Sequence, residues 1–111
     1  MKSVFFGGGS YYIDGVQIQE IETFIKSVPD LENYQIGISS HTDNIGGAEY
    51  NKWLSQMRSL SVIEQLKELN IPEEQIIIKD NGQRNPLYNN NTLRGRLANR
   101  RVDIILTPIY F

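Results

Sequence analysis

Cysteine is absent from this chain of 111 residues. Its absence excludes disulfide bonds, zinc sites built on thiolates and a cysteine nucleophile, and it leaves the redox compartment open. Long apolar runs are also missing, because the apolar stretch at residues 4–6 ends at three consecutive glycines, Gly7 to Gly9. This stretch is too short for the core of a signal peptide or for a membrane span. If the protein is exported, we expect this chain to be a mature form or an excised domain that does not itself insert into a membrane.

An excess of positive charge is missing as well. The chain carries 11 lysine and arginine residues against 13 aspartate and glutamate residues, a formal net charge of −2. This balance gives no general attraction to nucleic acid or to an anionic membrane, so any basic site must be local. The length and the 40% hydrophobic content predict one domain that covers residues 1–111.

Hydrophobic periodicity predicts two helices. The first begins at Asp14, where Gln17 completes a capping box, and ends at Pro29. The second covers residues 48–69, and a polar stretch at residues 80–91 is expected to be an ordered loop. The order β-α-β-α-β-β predicts an α/β fold, a two-layer sandwich in which a mixed sheet carries two main helices on one face. The strands are expected at residues 3–6, 33–39, 75–79 and 100–106, the third of them short and buried.

The second helix carries two apolar stripes. One contains Leu54, Val62, Leu66 and Leu69, with Arg58 one turn from both Leu54 and Val62. The other contains Tyr50, Trp53, Met57 and Leu60. If the second stripe is the core, Arg58 is a solvated residue whose stem lies along Leu54. If the first is the core, its guanidinium needs a carboxylate or an anionic ligand, for which Asp43 is the nearest candidate in sequence. Periodicity alone does not decide between the two.

Spaced motifs add a second kind of information. The segment HTDNIGGAEYNKWLSQMRSLSVIEQLKELNI, residues 41–71, resembles the peptidoglycan-binding signature of the OmpA-like family, the domain type found in OmpA, Pal and MotB. Downstream, GQRNP, NNT and GRLANRRVDI fall at the intervals where that family has a G-x-x-x-P turn, an N-x-T and a G-R-x-x-N-R-R-V ending. The resemblance runs from about residue 4 to residue 105.

The resemblance implies non-covalent binding of the peptidoglycan stem peptide through diaminopimelate, with no cofactor, metal or catalytic residue. Asp43 matches the family's aspartate that receives the ammonium of this zwitterionic side chain, and Arg58 matches the arginine that takes its carboxylate. A planar guanidinium suits a carboxylate because it can donate two parallel hydrogen bonds. In the empty protein we expect Asp43 or water to satisfy Arg58. Supporting positions that flank the pocket are Thr42, Asn51 and Leu54.

Two departures from the family pattern affect these expectations. The first strand is followed by FFGGGSYYI where the family commonly has a phenylalanine and aspartate pattern, so only backbone N–H groups around Gly9 and Ser10 are expected to contact ligand there. Ser59 replaces the usual alanine after Arg58.

Asn51 has an alternative role as an amide that ties the loop to the helix. The stripe with Trp53 is expected to be covered by the tail at residues 107–111 or by a second copy in a homodimer.

Other chemistries fit the sequence less well. His41, Asp43 and Ser55 contain the side chains of a hydrolase triad, but no nucleophile-elbow motif is present, so we predict a binding module and not an enzyme. The triglycine turn lacks the G-K-[ST] ending of a phosphate-binding loop. The alternative from another class is binding of nucleic acid or another polyanion. It would use the arginine cluster formed by Arg84, Arg94, Arg96, Arg100 and Arg101.

The expected location follows from the resemblance. It implies a periplasmic domain, tethered to the outer membrane in the full-length protein, that attaches an envelope protein to the cell wall. The expected partner is peptidoglycan of the diaminopimelate type and not nucleic acid.

Overall fold

One mixed sheet organises the computed structural model of the chain, which describes residues 1–80 and 88–109. Its strands are β1 (Lys2–Phe5), β2 (Tyr34–His41), β3 (Ile76–Asp80) and β4 (Arg101–Pro108), and their spatial order is β1-β4-β2-β3. Strand β4 runs antiparallel to both neighbours, whereas β3 runs parallel to β2. The helices are α1 (Gly15–Lys26), α2 (Ala48–Glu68) and α3 (Leu93–Asn99).

The hydrophobic core lies between the sheet and the two longer helices. Strand residues of one parity, such as Ile38 and its cross-strand partner Ile104, are buried on this face. Ile21 of α1 and Val62 and Leu66 of α2 cover them, and each of the three has no exposed surface. The predicted two-layer α/β arrangement with two main helices on one face is therefore confirmed.

The start of α1 agrees in detail with the sequence. The Asp14 carboxylate accepts a hydrogen bond from the Gln17 backbone N–H at 3.0 Å, which caps the helix. The Gln17 side chain also donates to Phe5 O and accepts from Phe5 N, at 2.8 and 2.7 Å. The residues of this cap therefore tie α1 to β1 in addition to starting the helix.

Strand β3 corrects one expectation. It was predicted to be buried, but Ile77 and Ile78 are 50% and 48% exposed. The reason is its place at the edge of the sheet, where only β2 is a neighbour. Three consecutive isoleucines indicate a strand but not its position in the sheet.

Helix α3 adds an element to the predicted order. Its N-cap Thr92 accepts from Gly95 N at 3.0 Å, and Asn99, fully buried, holds the preceding loop by bonding both the N–H and the carbonyl of Tyr88. Leu93 and Leu97 are exposed. The helix therefore depends on polar contacts, which hydrophobic periodicity does not detect.

The described part of the C-terminal tail does not cover the Trp53 stripe. Thr107 and Pro108 extend β4 along the start of β2, and Ile109 N donates to Asn33 O at 2.8 Å. This is the opposite end of β2 from the loop that leads into α2. Trp53 remains 44% exposed. Residues 110 and 111 lie outside the described residues, as do the predicted G-x-x-x-P turn and Arg84.

Candidate functional site

A small pocket of about 200 Å³ lies where β2 ends and α2 begins. The loop between β1 and α1 forms another wall, and Arg100, just before β4, completes it. The pocket brings together every predicted site residue except Ser10. Its lining consists of Gly8 and Gly9, then Thr42, Asp43, Ile45 and Gly46, then Tyr50, Asn51, Leu54 and Arg58, and finally Arg100.

Arg58 is buried in the first stripe, with 1% of its surface exposed. Its guanidinium donates to three backbone carbonyls: Nε to Ser10 O at 2.8 Å, Nη1 to His41 O at 3.2 Å and Nη2 to Gly7 O at 2.9 Å. It also lies over the Phe6 ring, 5.1 Å from the centroid. The side chain thus joins α2 to the β1–α1 loop and to the end of β2.

The expectation named Asp43 or water as the partner of Arg58, and in the structure three backbone carbonyls take the place of Asp43. Asp43, which is 6% exposed, pairs with Arg100, whose Nε lies 2.5 Å from Oδ2. Its other oxygen accepts from Ile45 N at 3.0 Å. The hydrogen bond from Ile45 N within the loop orients the carboxylate toward Arg100, while backbone carbonyls surround the guanidinium of Arg58.

The electrostatics of the pocket combine one carboxylate with two guanidinium groups. Burial lowers the pKa of Arg58 to about 10, and the charge of Asp43 opposes this shift. Arg58 therefore stays cationic near neutral pH. A guanidinium has five N–H groups, so the three bonds to carbonyls leave one N–H on each terminal nitrogen. The pocket holds a net positive charge beside a carboxylate, which suits a ligand with both an anionic and a cationic group.

Asn51 and Thr42 behave differently from one another. The Asn51 side chain, 1% exposed, donates to Asp43 O at 3.3 Å and to Ile45 O at 3.0 Å. The alternative role of Asn51 as a tie between loop and helix is therefore observed, and its ligand contact stays a prediction. Thr42 is 2% exposed, and its hydroxyl has no hydrogen-bond partner among the residues that the structure describes. A buried unpaired hydroxyl on a pocket wall is a ready contact for a polar ligand.

Two glycines shape the wall on the side of Tyr50. Gly9 and Gly46 have φ angles of +67° and +95°, which strain any residue with a Cβ. A Cβ at Gly9 would lie 3.4 Å from the Tyr50 hydroxyl, and one at Gly46 would lie 3.1 Å from the Tyr50 ring. Ser10, in contrast, does not line the pocket, and its N–H already donates to Gly7 O at 3.1 Å. The geometry does not favour the predicted ligand contact by Ser10.

Among the charged and aromatic residues that line the pocket, Arg100 and Tyr50 are the two that the sequence prediction missed. Arg100 was assigned to the arginine cluster, although it lies inside the G-R-x-x-N-R-R-V motif that was recognised. Tyr50 was assigned to the second apolar stripe because of its spacing from Trp53. Leu54 lies where expected, buried at 2% exposure on the pocket wall.

The hydrolase triad does not form. The Ser55 hydroxyl donates to Lys52 O at 2.8 Å, and His41 Nε2 lies 3.2 Å from the Ser39 hydroxyl. His41 is the last residue of β2 and is 8% exposed. Burial lowers its pKa from the ordinary 6.5, and the positive charge of Arg101 acts in the same direction.

The arginine cluster is largely engaged within the protein. Besides the Arg100–Asp43 pair, Arg101 is 3% exposed and pairs with Asp103 at 3.1 Å. Arg96 donates to Asn90 O at 3.0 Å. Of the members that the structure describes, Arg94 is the most exposed. A continuous basic surface for a polyanion is not present in this part of the chain.

Residues 1–80 and 88–109 contain neither a candidate membrane helix nor a candidate metal site. No helix there is long and apolar enough to cross a bilayer. No group of three acidic or histidine side chains in the same residues is arranged to hold a metal ion.

Comparison with known proteins identifies the class. The OmpA family model matches residues 5–100, and this chain therefore belongs to the OmpA family, as the motifs predicted. It is 38% identical over 72 residues to the outer-membrane lipoprotein YfiB of Pseudomonas aeruginosa, which covers 65% of this chain and 43% of the relative. It is 33% identical over 82 residues to the peptidoglycan-binding protein ArfA of Mycobacterium bovis, 74% of this chain and 24% of the relative.

The chain spans less than half of the length of these two curated relatives. Its fold matches the crystal structure of the peptidoglycan-associated lipoprotein from Burkholderia pseudomallei with a TM-score of 0.88 at 24% identity. That match covers 96% of this chain and 91% of the other. The agreement with this solved structure confirms the α/β fold.

Proposed function

We propose that this domain binds peptidoglycan without covalent chemistry and that its pocket takes the diaminopimelate side chain of the stem peptide. The observation that carries the proposal is a buried carboxylate, Asp43, in one small pocket with the guanidinium groups of Arg58 and Arg100. The name of ArfA and the membership in the OmpA family support peptidoglycan as the ligand.

The side chain of diaminopimelate ends in an ammonium and a carboxylate on one carbon. Asp43 receives the ammonium, and the free N–H groups of Arg58 take the carboxylate. Arg100 holds the Asp43 carboxylate in place before the ligand arrives, and its positive charge helps to neutralise the carboxylates of the complex. Thr42 offers its unpaired hydroxyl as a further hydrogen bond. Because Arg58 is fixed by three carbonyls, little side-chain entropy is lost when the ligand binds.

The envelope location follows from the same relatives. YfiB is an outer-membrane lipoprotein, and we infer that this domain attaches an envelope protein to the cell wall from the periplasmic side. Its role is that of an anchor and not of an enzyme.

Competition against immobilised peptidoglycan tests the choice of ligand. The probes are stem tripeptides whose third residue is diaminopimelate, diaminopimelate amidated at its side-chain carboxylate, or lysine. In the lysine peptide the side chain keeps the ammonium but lacks the carboxylate, so binding it would leave the two remaining N–H groups of Arg58 buried without an acceptor, at a cost of about 1–3 kcal/mol. We expect the lysine and amidated peptides to compete roughly tenfold to a few hundredfold less well than the diaminopimelate peptide. Equal competition by the lysine peptide would show that Arg58 does not bind the carboxylate.

A pair of variants tests the position of the site. Asp43→Asn removes the charge that receives the ammonium and keeps the shape, and we expect at least a tenfold loss of affinity for a diaminopimelate tripeptide by calorimetry. Glu49→Gln is the matched control, because it removes the same charge from an exposed residue in the first turn of α2. If the two variants bind alike, the ammonium is not received by Asp43.

If the domain bound a polyanion, its affinity for the ligand would depend on salt in a different way. Contacts with phosphates weaken steeply as salt is added, whereas the buried pairs of the pocket are screened much less. A steep salt dependence of ligand binding would favour the arginine cluster.

A further inference from the structure

Three aromatic side chains form a continuous exposed surface beside the pocket, which we name the aromatic ledge. It consists of Tyr11, Tyr50 and Trp53, which are 42%, 47% and 44% exposed. The Trp53 ring lies 5.8 Å from the Tyr50 ring and 6.0 Å from the Tyr11 ring, with Tyr11 edge-on. The rings therefore hold one another in place and expose apolar area that residues 1–80 and 88–109 do not cover.

The ledge is continuous with the diaminopimelate pocket. Tyr50 is part of the pocket wall, and Tyr11 lines a larger groove of about 700 Å³ on the other side. Gly8 and Gly9 line both cavities. Ser61 lies in the groove and fixes the loop by donating to Tyr11 O at 2.7 Å. A ligand that enters the pocket and continues past the glycine loop therefore runs along the ledge.

The stem peptide is such a ligand. Its other end is joined to the N-acetylated sugars of the glycan strand, and an extended peptide spans roughly 3.3–3.6 Å per residue. A sugar a few residues from the diaminopimelate thus lies on the order of 10 Å from the pocket. The ledge has a similar length. From Tyr50 on the pocket wall it is 5.8 Å to the Trp53 ring, and from there a further 6.0 Å to the Tyr11 ring.

We propose that the aromatic ledge binds the N-acetylated hexose at the root of the stem peptide, so that the domain recognises peptide and glycan together. This inference rests on the proposed function of the pocket. The C–H groups on the face of a pyranose ring are weakly positive, and the face of an aromatic ring is negative, so the two stack. Rigid aromatic rings also lose little side-chain entropy on binding. The polar side chains of Glu64 and Gln65, in the adjoining groove, offer partners for hydroxyl and acetamido groups.

The test compares two ligands, the diaminopimelate tripeptide alone and the same tripeptide carrying its N-acetylglucosaminyl-N-acetylmuramyl disaccharide. We expect the wild-type protein to bind the disaccharide form roughly two- to tenfold more tightly. In Trp53→Ala this ratio falls to about one, while affinity for the tripeptide stays within about twofold. Trp53→Phe keeps part of the gain. Leu60→Ala, which removes another half-exposed apolar side chain of α2, is the matched control and keeps the full ratio.

Fluorescence gives a second readout, because Trp53 is the only tryptophan. Its emission shifts to shorter wavelength with the disaccharide form and not with the tripeptide. Wild-type protein that binds the tripeptide with no gain from the sugars overturns this inference alone. Protein that binds neither ligand overturns the pocket assignment as well. A change from dimer to monomer in Trp53→Ala, with the ligand ratio unchanged, assigns the ledge to a contact between copies and also overturns the inference.

Discussion

Arg58 should contribute to stability as well as to binding, and Arg58→Met tests this. Methionine preserves much of the apolar stem but removes the donors to three carbonyls. The His41 carbonyl is bonded in a buried environment, so its loss of a partner costs about 1–3 kcal/mol. The carbonyls of Gly7 and Ser10 lie in the partly exposed loop and regain water, which limits the cost to about 0.5–1.5 kcal/mol each.

These contributions add to about 2–6 kcal/mol, a large fraction of the 5–15 kcal/mol that stabilises a typical domain. The opposing effect is the desolvation cost of burying the charged guanidinium, which is absent from the methionine variant. We expect the lost hydrogen bonds to dominate, because the carbonyls belong to the backbone and cannot be replaced by apolar groups.

Urea unfolding followed by far-ultraviolet circular dichroism measures the change. Gln56→Met, an exposed position on the same helix, is the control and should differ from wild type by less than about 0.5 kcal/mol. Arg58→Lys should fall between the two, since one ammonium cannot reach three carbonyls that lie in different directions. Amide exchange at Ser10, whose N–H bonds Gly7 O, should accelerate in Arg58→Met. A loss below about 1 kcal/mol would show that desolvation dominates and would refute the reasoning.

Three further predictions concern stability. Burial lowers the pKa of His41 below 6.5 in the folded protein, so as the pH falls the unfolded chain takes up the proton first. The free energy of unfolding should therefore be unaffected by His41 above pH 6.5. Below pH 6.5 it should decrease by at most about 1.4 kcal/mol per pH unit. Urea midpoints between pH 7.5 and 5.5 measure this effect. Asp14→Ala removes the cap of α1 and should lower the free energy of unfolding, because Gln17 N–H loses its hydrogen-bond acceptor. Asp103→Asn leaves the buried Arg101 without its counter-charge and should cost about 3–5 kcal/mol.

Each of these predictions has a result that contradicts it. A His41→Gln variant with the same pH dependence as wild type would assign the effect to other groups. An Asp14→Asn variant should keep most of the stability, because asparagine also caps helices, and a loss equal to that of alanine would point away from the cap. Asp103→Asn with wild-type stability would mean that the amide oxygen of the asparagine and Ala98 O, which accepts from Arg101 Nη1 at 3.4 Å, satisfy Arg101 without the charge.

Much of the fold follows from local patterns. The Asp14 cap predicted the start of α1, and the hydrophobic pattern predicted α2 and β2. Their observed bounds lie within about three residues of the predicted ones. Helix α3 was missed because it presents no buried apolar stripe, and the exposure of β3 was missed because strand order is a property of the whole sheet.

The candidate site shows the same division. The sequence determined the family and the residue types that line the pocket, since spaced motifs place Asp43, Asn51, Leu54 and Arg58 in one segment of the chain. Only the tertiary structure decided the partners. Arg58 bonds main-chain carbonyls, which every residue carries and no motif marks. Asp43 pairs with Arg100, 57 residues away. Periodicity reports which face of an element is apolar, but the pairing of charges depends on how strands and loops meet, and that is determined only when the chain is folded.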